Sequence, residues 1–152
     1  MTRTIQKPAF KIIGIAVMTS NQNRQAATDI GALWQQFFQK DILNKIPQKI
    51  NSEIYMVYTD YEGDYMAPYR AILGCLVEAS ATAPVGMIEK LIPAQIYQVY
   101  TAKGKMPVAV GQTWQAIWND SKLKRAYQAD FDVYGPKSQD PTCPEVEIFV
   151  GV

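Results

Sequence analysis

Phe10-Lys-Ile-Ile-Gly-Ile-Ala-Val-Met18 is an apolar, β-branched stretch that reads as a largely buried strand, and the order of segments after it sets the fold. A helical segment follows in which Ile30, Leu33, Trp34, Phe37 and Phe38 recur at spacings of three and four, so that they share one face. Strands are predicted at Ile54–Thr59 and Tyr69–Val77, joined by a loop rich in Gly and Asp. The same order then returns. Ile96-Tyr-Gln-Val-Tyr-Thr101 is followed by a helix carrying Val110, Trp114, Ile117 and Trp118, and by strands at Ala129–Tyr134 and 146–150. Two β-α-β-β units predict an α+β domain with pseudo-twofold symmetry: an antiparallel sheet, two main helices, and a central ligand cleft where the halves, about 5–80 and 86–152, meet.

Several local readings accompany this plan. Segment 21–27 is a polar loop, and Thr28 or Asp29 is expected to cap the first helix by accepting from its free amides. Pro47 sets that helix's latest end. Segment 79–85 is the crossover between halves, and 87–92 is an edge strand ended by Pro93. Pro107 suits the first turn of the second helix, where its missing amide hydrogen costs nothing. The polar segment 121–127 is a loop whose Lys122, Lys124 and Arg125 form a solvated basic face.

Composition narrows the function. At 152 residues, 48% hydrophobic and 19% charged, the chain can bury a single core without staples. A net charge of +1 offers no basic field to neutralise a row of phosphates, so nucleic acid is not an expected partner. The first eight residues lack the apolar core of a signal peptide, and no run approaches a bilayer span, so a cytoplasmic location away from the membrane is expected. Cys75 and Cys143 are isolated and read as reduced thiols. Histidine is absent, which excludes a Ser-His-Asp triad, a Cys-His dyad and a His-ligated zinc within one chain. No metal or other cofactor is expected.

The residues left to carry chemistry are carboxylates and aromatics. In Ala129–Tyr134, alternation puts Asp130, Asp132 and Tyr134 on one side and Phe131 and Val133 on the other. Asp132 and Glu147 are each embedded in an apolar strand. A carboxylate facing an apolar cleft needs a partner, which a cationic ligand would supply. The outer face of an antiparallel sheet yields the same alternation, so both readings stand at this point. Trp34, Trp114 and Trp118, with Tyr55, Tyr97 and Tyr134, offer ring faces that attract a cation, although aromatics on a helix's apolar face also build ordinary cores. The candidate ligand-binding set is Asp132, Trp114, Trp34, Phe38, Tyr55, Tyr134, Tyr97 and Glu147.

These segments resemble the GyrI-like small-molecule-binding domains, also called AraC-type effector-binding domains. The resemblance rests on Ile30-Gly-Ala-Leu-Trp34 with Phe37-Phe38, Ile92-Pro-Ala-Gln-Ile-Tyr-Gln-Val-Tyr100, Thr113-Trp-Gln-Ala-Ile-Trp118, Asp130-Phe-Asp-Val-Tyr134 and Val146-Glu-Ile-Phe-Val-Gly-Val152. It implies a tandem repeat with a ligand cleft between the halves, and a cleft-facing acidic residue that meets positively charged ligands. That residue is usually Glu within Phe-Glu-x-Tyr; here the position is Asp132, one methylene shorter. The chain is similar to free-standing cationic drug-binding modules of mobile gene cassettes, without a DNA-binding domain. The implied partner is a hydrophobic organic cation, and a separate regulator protein is a further candidate. The resemblance also carries two alternatives, a hydrolase of strained electrophiles and a gyrase-inhibitor-like interaction module. Oligomeric state is left open.

Overall fold

The structure, a computed structural model, describes residues 3–152. Its strands are β1 (Arg3–Lys7), β2 (Phe10–Thr19), β3 (Ile54–Thr59), β4 (Tyr69–Val77), β5 (Ile88–Ile92), β6 (Gln95–Lys103), β7 (Ala129–Tyr134) and β8 (Glu145–Gly151). Helices α1 (Gln25–Gln39) and α2 (Ile42–Lys45) lie between β2 and β3, and α3 (Val108–Trp118) lies between β6 and β7. All strands join one eight-stranded sheet in the order β1-β6-β8-β7-β3-β4-β2-β5, and every neighbouring pair is antiparallel. The order is symmetric about the β7–β3 junction: β3-β4-β2 runs outward on one side and β7-β8-β6 on the other. The α+β tandem repeat is therefore the observed architecture.

Each repeat also has a strand that it lends to the other. β1 precedes the first repeat but pairs with β6 of the second, and β5 precedes the second but pairs with β2 of the first. β5 matches the expected edge strand, whereas β1 was not anticipated. Arg3-Thr-Ile-Gln-Lys7 has one strongly apolar residue, Ile5, and its extended form rests on long-range pairing with β6.

The sheet is strongly curled. Phe10 of β2 and Phe131 of β7 have ring centroids 5.3 Å apart although β3 and β4 lie between their strands. In a flat sheet that separation would be roughly 14 Å. Tyr55, Val57, Tyr97, Val99, Phe131 and Phe149 fill the concave interior. Gly14 and Gly74 face each other across β2 and β4, and a Cβ on either would stand 2.1 Å from a carbonyl oxygen of the facing strand. Only glycine allows that approach.

The other face carries the helices as two separate packing units. Leu33 and Phe37 of α1 pack with Ile13, Ile15, Met56 and Leu73, and Trp114 and Ile117 of α3 pack with Val146, Ile148 and Val150. Tyr58 and Tyr134 touch both units. The cap expected at Thr28 or Asp29 is not there, because α1 begins at Gln25 after a 3-10 turn and left-handed Arg24 (φ 57°). Thr28 and Asp29 lie inside the helix, where Asp29 accepts a hydrogen bond from Gln25 at 3.3 Å. No helix of the described residues is long and apolar enough to cross a membrane.

Candidate functional site

A cavity of about 710 Å³ opens between α1 and α3 above the middle of the sheet. Small residues make the room: α1 lines it with Ala26, Ala27 and Gly31, and α3 with Gly111. A Cβ at Gly31 or Gly111 would meet no atom within 4 Å. Trp34 stands three residues after Gly31, and Trp114 three after Gly111, so each helix offers a small residue and an indole one turn apart. Tyr58, Tyr61, Tyr65, Tyr69, Tyr134 and Trp118 complete a wall rich in aromatic rings, with Ile30, Met106, Pro107 and Val110 as its aliphatic part. Tyr65 stacks on Trp118 with centroids 5.8 Å apart, joining the β3–β4 loop to the end of α3. Asn21 holds that loop by donating to the Tyr65 carbonyl at 2.6 Å while accepting from the Tyr69 hydroxyl at 2.7 Å.

Asp132 lies behind this wall. Its carboxylate is fully buried, at 0% exposure, and receives two hydrogen bonds from cavity-lining rings: the Tyr58 hydroxyl at 2.7 Å and Trp114 Nε1 at 2.9 Å. Burial pushes its pKa up from 3.8 to about 7, the two donors hold it down from a higher value, and neighbouring Asp130 adds to the rise. Tyr58 and Tyr134 are driven above the ordinary phenol range, first by burial and then by the Asp132 charge.

Asp130, also at 0% exposure, is held differently. It accepts from the Tyr61 hydroxyl and from the Gly151 amide at 2.7 Å, and Arg125 Nη2 lies 2.6 Å from its Oδ2. Arg125 is not on the solvated basic face expected for Lys122 and Lys124. Its side chain is 5% exposed and lines the cavity, with the guanidinium 4.4 Å from the Tyr127 ring centre and 5.5 Å from that of Trp114. The apolar stem and a buried carboxylate draw it inward, while Lys122 and Lys124 stay exposed.

The structure brings Trp34, Trp114 and Tyr134 together in the lining, with Asp132 directly beneath. The other four candidates lie elsewhere. Tyr55 and Tyr97 point into the concave core, because each stands an odd number of residues from the cavity-side positions Tyr58 and Tyr100. Glu147 shares the concave-side parity of Phe149, away from the cavity, and pairs with Arg3 at 2.6 Å, with its side chain 41% exposed. Phe38 is 62% exposed beyond the cavity, stacked on Trp34 at 5.8 Å. Tyr58, Tyr61, Tyr65, Tyr69 and Arg125 were missed. For Tyr58 there was a signal: residues that alternate with Tyr55 at even spacing, Tyr55 and Val57, cannot share a face with it. Among the described residues no group of three or more His, Cys, Asp or Glu is placed to share a metal ion.

Comparison with known proteins adds family context to this geometry. A family model described as Cass2, integron-associated effector binding protein, matches residues 3–152. The transcriptional regulator BrlR of Pseudomonas aeruginosa is 25% identical over 99% of the chain, which spans only 54% of BrlR's own length. An integron cassette protein from the mobile metagenome of Vibrio cholerae has a similar structure, with a TM-score of 0.74 and 25% identity over 99% of this chain and 95% of that one. SAV2435 bound to tetraphenylphosphonium aligns with a TM-score of 0.82 over 100% of this chain and 93% of its own, at 18% identity, a likeness of fold.

Proposed function

The chain belongs to the Cass2 family of integron-associated effector binding proteins, and from that premise we propose that it is a cytoplasmic binding protein for amphipathic organic cations. The observation that carries this reading is the buried Asp132 carboxylate, held by two rings that form the cavity wall. By donating to a carboxylate, Tyr58 and Trp114 become more electron-rich on their faces and attract a cation more strongly. Asp132 also acts through them. At a separation of about 5 Å and an effective dielectric near 20, a full charge pair contributes about 3 kcal/mol before desolvation. The rings themselves add about 0.5–2 kcal/mol each when desolvated. Burying roughly 200–300 Å² of apolar ligand surface contributes on the order of 5–8 kcal/mol before entropy losses. The sum, less those losses, is consistent with micromolar binding, about −8 kcal/mol. SAV2435, with tetraphenylphosphonium bound, supports the choice of ligand class.

The same placement speaks against the hydrolytic alternative. Both Asp132 oxygens accept hydrogen bonds from the wall, and the carboxylate has no surface from which to activate water.

Trp34, Trp114 and Trp118 all line the cavity, so tryptophan fluorescence reports occupancy. The test is a titration with tetraphenylphosphonium, its anionic counterpart tetraphenylborate and neutral triphenylphosphine oxide, in the parent and in Asp132→Asn. Saturable quenching by the cation at micromolar concentration, weakened tenfold or more in the variant, is expected. Equal affinity for all three compounds, or no binding of the cation, would overturn the reading.

A further inference from the structure

β7 brings two fully buried carboxylates, Asp130 and Asp132, to the same face of the sheet, one strand period or roughly 7 Å apart. Both stand just behind the aromatic wall: Tyr58 and Trp114 cover Asp132, and Tyr61 and Arg125 cover Asp130. Asp132 meets neutral donors, whereas Asp130 meets a cation. Left uncompensated, the pair would offer two negative charges to a ligand at any pH high enough to ionise both, because burial pushes both carboxyls up and the Asp130 charge adds to the rise at Asp132.

Resting on the cation-binding reading, we propose that Arg125 sets the charge specificity of the cavity: by neutralising Asp130 it leaves one negative charge under the wall, which matches monocations and disfavours dications. The construction around Arg125 fits this role. Its guanidinium lies within 6 Å of the ring centres of Tyr61, Trp114 and Tyr127, so it is positioned at the wall itself. The loop that carries it is clipped to the carboxylate it neutralises. The Ala126 amide donates to the Gly151 carbonyl at 2.8 Å, and the Gly151 amide donates to Asp130 Oδ1. Nε and Nη1 have no hydrogen-bond partner among the described residues, and the guanidinium engages Asp130 through Nη2. A ligand's positive charge near Arg125 would be repelled, while one near Asp132 is attracted. A second cationic centre therefore has no place in the cavity.

The test compares affinity for tetraphenylphosphonium with affinity for an alkane-linked bis(triphenylphosphonium) dication at pH 8, by tryptophan fluorescence. Arg125→Met keeps the apolar contact with the rings and removes the charge. It should raise the dication-to-monocation affinity ratio tenfold or more. Arg125→Met combined with Asp130→Asn should return the ratio to within about threefold of the parent. Should Arg125→Met fail to fold, Asp130→Asn tests the same idea from the other side. Arg125 is then unpaired and the net buried charge rises to zero, so tetraphenylphosphonium should bind tenfold or more weakly and tetraphenylborate should bind measurably. An unchanged ratio in folded Arg125→Met, or unchanged selectivity in Asp130→Asn, overturns the inference. A parent that binds no tetraphenylphosphonium overturns the cation reading and this inference with it. A parent that binds the monocation while the ratios stay put overturns the inference alone.

Discussion

Replacing Asp132 by Asn should stabilise the ligand-free protein at pH 8 while weakening ligand binding. The carboxyl's pKa lies near 7 in the folded state against an ordinary 3.8, chiefly because burial disfavours its charge. A folded state with the higher pKa holds its proton more tightly, so this group stabilises the fold most in acid. Stability falls as pH rises from about 4 to about 7, because the unfolded chain ionises first, and the full penalty remains above 7. The difference between 3.8 and about 7 corresponds to about 4 kcal/mol. Asparagine does not titrate and fits the same hydrogen bonds. Its Oδ1 can accept from Trp114 Nε1, and its Nδ2 can donate to a rotated Tyr58 hydroxyl in place of the present bond to Oδ2. Urea denaturation of parent and variant at pH 4 and pH 8 should show an advantage for the variant that grows by up to about 4 kcal/mol between the two, or a shift of roughly 8–15 °C in Tm at the higher pH. A variant less stable than the parent at pH 8, or an advantage that does not change with pH, would refute the assignment of a desolvated, titrating carboxylate behind the wall.

Affinity for tetraphenylphosphonium should fall as pH is lowered through about 7, by up to tenfold per pH unit below it, because protonated Asp132 no longer opposes the ligand's charge; titrations from pH 5.5 to 8.5 check this, with Asp132→Asn showing a flat profile. Gly111→Leu, whose side chain would project into open cavity, should reduce affinity for bulky cations tenfold or more while leaving stability unchanged or raised by about 1 kcal/mol, since glycine is a poor helix former. Thermal melts and the same titration measure both effects. Glu147→Gln, which removes an exposed pair with Arg3, should change affinity less than twofold and stability by no more than about 1 kcal/mol.

The repeat could be read from the chain because its strands and helices are written in local patterns: β-branched runs, and apolar residues at helical spacing. Strands β2, β3, β4 and β7 and helices α1 and α3 fall where those patterns place them, to within a few residues. β1 could not be read in this way, because its stability comes from β6, about ninety residues away. The same distinction runs through the site. Trp34 and Trp114 stand on amphipathic helices whose inner faces are evident from spacing. Tyr55, Tyr97 and Glu147 stand on strands, where a one-residue change in parity moves a side chain to the opposite face.

The sequence by itself determined the main strands and helices of the repeat, their duplication and the inventory available to the site: aromatics and carboxylates, without histidine. Tertiary structure decided which of those residues meet. The curl of the sheet turned one face of the central strands into a core and left the other under two helices, so the choice among Tyr55, Tyr58, Tyr97 and Tyr100 was settled by pairing register. Arg125 shows the physical reason most directly. In sequence it is one of three basic residues in a polar loop, and nothing local separates it from Lys122 or Lys124. It is drawn inside because folding buries Asp130, and a carboxylate taken out of water requires a compensating charge that only a neighbour in space can supply.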